Sequence, residues 1–357
     1  MSSPPPTAPA REVADASPPD ASNEATGPGH VSSATPGTAA PAASRSWRRA
    51  AALPLAAALA LGLHLGISGG EPPAETRTYS LFLGGILGLG LLFLALQFRI
   101  AGLQTWIRKN APLLVAGIAL LAVAEIITTG LRLLPLPYFP SPAKILQSMV
   151  EDRGMLWTST WHSLFLLLGG YSLGVLTGLV SGVCIGWSVR ARYWGMPLLK
   201  FVGPIPATAW IPLALVLFPS ALFSAVSLIA LAVWFPVTML SSAGISNTKA
   251  SYLDVARTLG AGPRFLVFRV AIPAAMPNIF LGLFMGLGSA FLTLVVAETV
   301  GVKSGLGWYL GWAREWAEYG KVYSSIVVMA VFFSSIMTLL FKVRDRVLVW
   351  QKGAIKW

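Results

Sequence analysis

An all-α integral membrane protein is predicted by three features of this 357-residue chain. Hydrophobic residues make up 55% and charged residues 11%, and the mean hydropathy of +0.68 lies outside the usual soluble range. The apolar residues gather into about eight runs near the ~20 residues a helix needs to cross a bilayer. Lys and Arg fall unevenly between those runs, so alternate connections are basic. The first feature argues against a soluble enzyme, and the third sets an orientation.

Residues 1–44 are rich in Pro, Ala, Ser and Thr and offer little for a core, which predicts a disordered cytoplasmic tail. No basic region followed directly by an apolar run opens it, so it does not read as a secretory signal. Residues 45–110 supply two accessory spans, 50–68 and 79–98, joined by a short loop containing Pro72 and Pro73. Residues 111–357 supply six more: 111–130, 162–188, 196–218, 221–245, 278–300 and 323–341. The run 196–218 carries Lys200, Pro204, Pro206 and Pro212, which predicts either a kinked span or a span with a surface lead-in. Gly174, Gly178, Gly182 and Gly186 line one helix face, suited to close packing on a neighbouring helix or to a dimer seam. Cys184 is the only cysteine, so no disulfide forms within the chain.

With the N-terminus in the cytoplasm, that side collects Arg45, Arg48 and Arg49, then Arg99, Arg108 and Lys109, then Arg190 and Arg192, then the loop 246–277, and finally Lys342, Arg344, Arg346, Lys352 and Lys356. The other side holds fewer cations, mixed with Glu71, Glu75, Glu151, Asp152, Glu315 and Glu318. Both termini are therefore expected inside. Insertion topology and anionic lipid account for the net charge of +12 without nucleic acid.

The loop 246–277, SNTKASYLDVARTLGAGPRFLVFRVAIPAAMP, is short, polar and basic between apolar runs. Ser251 followed by Asp254 is a capping-box pattern and predicts a helix starting near Ser251. Gly260 and Gly262 interrupt it. Pro263 suits the first turn of a second helix, which Pro273 and Pro277 are expected to end. Ala256 and Gly260 put two small residues on one face, where another surface can approach the backbone.

Asp254, Val255, Ala256, Gly260, Val270, Ile272 and Pro273 have the spacing of the EAA loop of bacterial ABC importer permeases: Glu-Ala-Ala, three residues, Gly, nine residues, Ile, one residue, Leu-Pro. Asp254 stands for the Glu and Val255 for the first Ala, while the second Ala, the Gly and the Pro are kept. The block from about residue 111 resembles this family, and more narrowly its nitrate, sulfonate, taurine and bicarbonate branch. The likeness includes Phe139-Pro140-Ser141-Pro142, the Gly-rich span 169–186, the stretch from Pro204 to Pro212, and Val296-Ala297-Glu298 leading to Ser304-Gly305-Leu306-Gly307.

The resemblance implies a six-helix type I importer permease core with two extra N-terminal helices. It also implies that Ser251, Asp254, Val255, Ala256, Leu259, Gly260 and Pro273 belong to a coupling segment docking on a cytoplasmic ATPase. Two permease copies, two ATPase subunits and an extracytoplasmic solute-binding protein would move a small anionic or zwitterionic solute across the bacterial inner membrane. ATP and Mg would be bound by the ATPase, with no cofactor in this chain.

Catalysis inside a membrane needs convergent ionisable groups. His64, Glu125, His162, Lys200 and Glu298 are scattered over different segments without metal-ligand spacing, so no catalytic or metal residue is expected. His64 reads as packed, His162 as part of an interfacial aromatic belt and Lys200 as snorkelling. Glu125 reads as a snorkelling or helix-packing carboxylate. Glu298 either lines the gate of a pathway or caps the turn at Gly301. Pro206 and Trp210, in a Pro-broken stretch, are further pathway candidates. No GxxxxGK[ST] phosphate loop occurs, so energy must come from a separate ATPase. A secondary transporter using Glu125 and Glu298, or a membrane enzyme acting on lipid, are the alternatives, and both leave the loop 246–277 without a role.

Overall fold

A computed structural model describes residues 42–67, 73–96, 101–135 and 137–350, and among them every regular element is helical. Residues 1–41 of the expected tail lie outside the described residues, and α1 (Ala42–Ile67) already contains its last three. α2 (Pro73–Leu96) and α3 (Ala101–Glu125) follow, α3 running on through a π turn (Ile126–Gly130). Residue 111, where the core block was expected to begin, falls inside α3. α4 (Pro142–Glu151) is short, with Pro142 in its first turn and the Ser141 hydroxyl accepting from the Lys144 amide at 3.2 Å.

The remaining elements are α5 (Arg153–Trp187), α6 (Val189–Val202), a 3-10 turn (Ala207–Trp210), α7 (Ile211–Leu217) and α8 (Ala221–Ser246). After them come α9 (Ala250–Thr258), α10 (Pro263–Phe265), a π turn (Leu266–Ala271), α11 (Ile272–Val300), α12 (Leu306–Glu315) and α13 (Tyr319–Val347).

Each of the eight expected apolar runs is mainly helical over its described residues, and among those residues six helices are long and apolar enough to cross a bilayer: Pro73–Leu96, Lys109–Gly130, Arg153–Trp187, Ala221–Ser246, Pro263–Val300 and Tyr319–Val347. The other two runs differ from straight spans. The apolar part of α1, Ala51–Ile67, is shorter, about 26 Å at 1.5 Å per residue against a ~30 Å hydrocarbon core. The run 196–218 is a helix pair bent by 85°, with Gly203, Pro204 and Pro206 at the break.

The glycine face resolves what that bent pair does. A Cβ added at Gly170 would lie 2.6 Å from Ile229, at Gly174 2.7 Å from Val233, at Gly178 2.9 Å from Val237, at Gly182 2.7 Å from Ser241 and at Gly186 2.7 Å from Ile245. Each step of four residues along α5 matches a step of four along α8, so the two helices are parallel and their backbones touch. The face is a packing seam within the chain. Parallel neighbours need a return connection, and α6 and α7 supply it. Arg192 on α6 donates to the Gly186 carbonyl at 2.9 Å, Gly203 abuts Phe235 halfway along α8, and Ser224 at the start of α8 donates to the Ala214 carbonyl at 3.0 Å. The bent pair thus carries the chain from one end of the bundle to the other.

α11 lies antiparallel to α8, with Gly286 on Val233, Gly282 on Val237 and Gly244 on Asn278. α13 pairs with α11 through stacked Phe291 and Phe333, centroids 4.1 Å apart, and through Phe284 and Phe341 at 4.3 Å. The core among α5, α8 and α11 is built on Leu167, Ile229, Val233, Val237, Ala290 and Leu294. A separate apolar cluster joins Leu53, Ala57 and Ala60 of α1 to Tyr79 and Leu83 of α2, Ile118 of α3 and Ala143 of α4. α3 therefore packs with the accessory pair. One end of the bundle carries α9, and the other carries α4, α12 and the start of α13.

Candidate functional site

α9 begins at Ala250, one residue before the expected start. Lys249 occupies the cap position, and no side chain satisfies the exposed amides there. The capping box is not formed, because Ser251 already lies inside the first turn. Asp254 instead pairs with Arg257 at 2.9 Å, one turn on and solvent-exposed.

The other end of α9 is built as its glycines predict. Gly260 has φ +83°. Its amide donates to the Arg257 carbonyl at 2.9 Å and the Ala261 amide to the Ala256 carbonyl at 3.0 Å. These two bonds are a Schellman closure, which needs the left-handed residue that Gly supplies without a Cβ penalty. Pro263 then opens the next helix at its first turn, where its missing N–H costs nothing.

That helix does not stop at Pro273 or Pro277. It continues through the π turn into α11, a 38-residue helix Pro263–Val300 with both prolines inside. The Ile272 amide reaches back five residues to the Val267 carbonyl. This widened turn places Pro273 in the first turn of α11, where a residue without an N–H is tolerated.

Burial separates a moored arm from a free one. Leu266 and Ala271 of the π turn are buried, and Ala271 joins Ile245, Ala275 and Ile279 in one cluster. Arg192 binds the Gly186 carbonyl and the Ser246 hydroxyl together, tying the end of α5 to the end of α8 just before the loop. α9 itself has no buried residue. Leu253 and Ala256 are half-buried, on the side toward the π turn. Tyr252, Val255 and Leu259 form the outward stripe, exposed by 53%, 61% and 82%. Open apolar stripes of this kind on polar loops are a recurring feature of partner-binding surfaces. Tyr252 was not singled out from the sequence, although its spacing of three from Val255 and seven from Leu259 marks the same face.

The pathway candidates stand apart from this loop. Pro206 precedes the 3-10 turn and Trp210 ends it, in a segment packed on α8 and α11. The Trp210 indole N–H is buried and has no hydrogen-bond partner among the described residues. Glu298 is at the opposite end of the bundle from α9, with 1% exposure. Its carboxylate accepts from the Ser163 hydroxyl at 2.6 Å and from the Gly307 amide at 2.7 Å, while Ser163 accepts from the Leu306 amide at 2.9 Å. The carboxylate is turned into the packing between α5, α11 and the start of α12. Gly305, at φ +126°, passes directly over it, and any side chain there would collide with the Glu298 carboxyl.

His64 and Glu125, read separately from the sequence, are brought together: His64 Nδ1 and Glu125 Oε1 are hydrogen-bonded, and Tyr79 stands edge-on to the imidazole at 4.8 Å. His162 is exposed beside stacked Trp157 and Trp161. Among the described residues no group of three His, Cys, Asp or Glu is placed to hold a metal ion.

Comparison with known proteins places this arrangement. The family described as binding-protein-dependent transport system inner membrane component matches residues 174–349, from the middle of α5 onward. The match starts later than residue 111, so α1 to α4 lie outside it. The chain is 32% identical to a probable ABC transporter permease protein of Haemophilus influenzae, over 49% of this chain and 71% of that protein. It is 29% identical to a bicarbonate transport system permease protein of Synechocystis, over 37% of this chain and 46% of the relative. With a taurine transport system permease protein of Escherichia coli the identity is 27%, over 49% and 66%. The chain thus spans about half to seven tenths of these relatives. The matched stretch holds the later part of α5 and the parallel α8, the bent return between them, the loop bearing α9, and the last two long helices, and the chain belongs to the binding-protein-dependent transport system inner membrane component family, the permeases of ABC importers.

Proposed function

We propose that this chain is the membrane subunit of an ATP-driven importer and that α9 is its contact with a cytoplasmic ATPase. The observation that carries this reading is the outward stripe of Tyr252, Val255 and Leu259 on a helix whose two flanks are fixed to the bundle. A partner gripping α9 would move α8 and α11 with it, because the π turn joins the loop to α11 without a break. Asp254, Ala256 and Gly260 hold the shape of that helix and its closure, and Pro273 lies behind the π turn.

In this reading the α9 end faces the cytoplasm and two copies of the chain enclose the pathway. An extracytoplasmic binding protein delivers the solute at the other end. ATP and Mg reside on the ATPase, and this chain needs no cofactor. The solute class is a small anion or zwitterion of the bicarbonate, taurine or sulfonate type, supported by the names of the relatives. The ion-gradient alternative is not favoured, since Glu125 is bonded to His64 and Glu298 to Ser163 and Gly307.

The test is purification of the tagged chain from gently solubilised membranes. An ATPase should accompany it at about one copy per permease, with ATP hydrolysis stimulated by a binding protein. A chain that purifies alone and transports on an ion gradient overturns the proposal.

A further inference from the structure

At the end of the bundle opposite α9, the helices outside the family match and those inside it line a half-open cavity of about 760 Å³. One wall comes from the end of α1, the start of α2 and the segment after α3. The other comes from α4 and the turn between α12 and α13. The volume is in the range of small-molecule sites.

The charges on the walls are unevenly compensated. Glu75, largely buried, pairs with Lys144 at 3.0 Å, and Glu318 pairs with Lys321 at 2.6 Å. Two lining charges are left without an ion pair among the described residues: the Arg132 guanidinium, and the Glu151 carboxylate, which accepts from the Gln147 amide at 2.6 Å. Both are solvent-exposed, so the two walls present one cation and one anion that lack an ion pair among the described residues. The backbone is unusual here as well. Arg132 (φ +48°) and Ala317 (φ +57°) are the non-glycine residues with positive φ among those described, and both line this cavity. Left-handed non-glycine residues are strained and persist where the surroundings over-determine them, as in ligand clamps.

We propose that this cavity is a binding site for a zwitterion carrying an oxyanion and a primary ammonium group, the oxyanion on Arg132 and the ammonium on Glu151. Arginine suits an oxyanion through its planar fork of donors. The site is composite, since Arg132 follows α3 and Glu151 ends α4, with Ala317 and Tyr319 closing it from the core side. An occupant therefore stabilises the packing of the accessory helices on the permease core and gives those helices a ligand-dependent role. Two sources share this chemistry: a free amino-sulfonate or amino-phosphate solute, and the headgroup of phosphatidylethanolamine.

The experiment uses the full-length chain in phosphatidylglycerol nanodiscs and reads the thermal unfolding midpoint. Taurine and glycerophosphoethanolamine are titrated in, and parallel nanodiscs contain phosphatidylethanolamine. A saturable rise with the soluble zwitterions identifies a solute site, and a rise only with phosphatidylethanolamine identifies a lipid site; either supports the proposal. Arg132→Asn, which keeps a residue tolerant of left-handed φ, and Glu151→Gln should each weaken the response about tenfold or more. No rise from any of the three, or a rise that both variants retain in full, overturns the proposal. Binding is read on this chain whether or not an ATPase accompanies it, so its failure is distinct from failure of the coupling reading.

Discussion

His64 and Glu125, 61 positions apart, meet as a hydrogen-bonded pair whose side chains are 0% and 1% exposed. A second contact runs from His64 Nε2 to the Thr76 carbonyl at 3.3 Å. The pair pins α1 to α3 and to the start of α2 at one depth, in a part of the chain that otherwise relies on small apolar residues such as Ala57 and Ala60. Removing one partner of a buried polar pair strands the other, whereas replacing both with apolar residues is often neutral. His64→Leu should therefore lower stability by roughly 3–5 kcal/mol, and His64→Leu with Glu125→Leu should recover most of it. Thermal unfolding in detergent reads both; a double variant as unstable as the single one would show that the pair contributes no coupling.

The α5 to α8 seam gives a contrast within one residue type. A Cβ at Gly174 would lie 2.6 Å from the Ala230 carbonyl oxygen, a backbone atom that cannot swing away, whereas a Cβ at Gly84 on α2 meets nothing within 4 Å. Gly174→Ala should cost on the order of 1–3 kcal/mol by overpacking. Gly84→Ala should be neutral or slightly stabilising through helix propensity. Equal unfolding midpoints for the two variants would contradict the close parallel packing.

For α9, surface chemistry and local shape can be separated. Leu259→Asp changes a side chain that is 82% exposed, so folding and membrane insertion should be unaffected while ATPase recovery in a pull-down falls at least tenfold. Gly260→Ala meets no atom within 4 Å and suffers only from φ +83°, a strain of about 1 kcal/mol that loosens the closure. Its ATPase recovery should fall less than that of Leu259→Asp. The coupling role of α9 fails if Leu259→Asp retains full recovery.

Local signals in the sequence were legible where their cause is local. Gly260 and Pro263 announced a helix end and a helix start because each answers a backbone requirement of its own position. The glycines at four-residue steps announced a contact face but not its owner, since periodicity carries no information about the partner helix. The start of α9 lies within one residue of the expected position, but the capping box is not formed, because an available hydroxyl at Ser251 does not oblige the helix to use it. Pro273 and Pro277 read as terminators, yet a widened turn absorbs the first and α11 continues past the second. His64 with Glu125, and Glu298 with Ser163 across 135 positions, depend on tertiary packing and have no trace in spacing.

Tyr309 carries the pH dependence expected outside the spans. Its hydroxyl donates to Asp152 Oδ2 at 2.7 Å, and burial first, then the Asp152 carboxylate, pushes its ionisation well above the ordinary tyrosine value of about 10. A raised value in the folded state means that the unfolded chain loses this proton first. The stabilisation is complete below pH ~10 and declines as the pH rises beyond it. Tyr309→Phe should flatten the alkaline limb of the stability profile. An unchanged alkaline limb would mean that Tyr309 is not the group responsible.

Glu298 separates a structural bracket from a gating carboxylate. The bracket holds three donors in series, since Glu298 accepts from Ser163 and Gly307 while Ser163 accepts from the Leu306 amide. Glu298→Ala leaves the buried Ser163 hydroxyl and Gly307 N–H without this acceptor, at about 1–3 kcal/mol for each unsatisfied group. Glu298→Gln keeps one acceptor for Gly307, and its amide N–H can turn toward the Ser163 oxygen, so most of the stability should remain. If Glu298 works by holding the start of α12 onto α5, transport should follow stability, with Gln near wild type and Ala severely impaired. If its charge acts in the passage of solute, Gln should lose transport while unfolding at the wild-type temperature. Ser163→Ala decides further, because it removes a rung of the bracket without touching the carboxylate charge: loss of transport together with stability supports the bracket, and full retention of both refutes it.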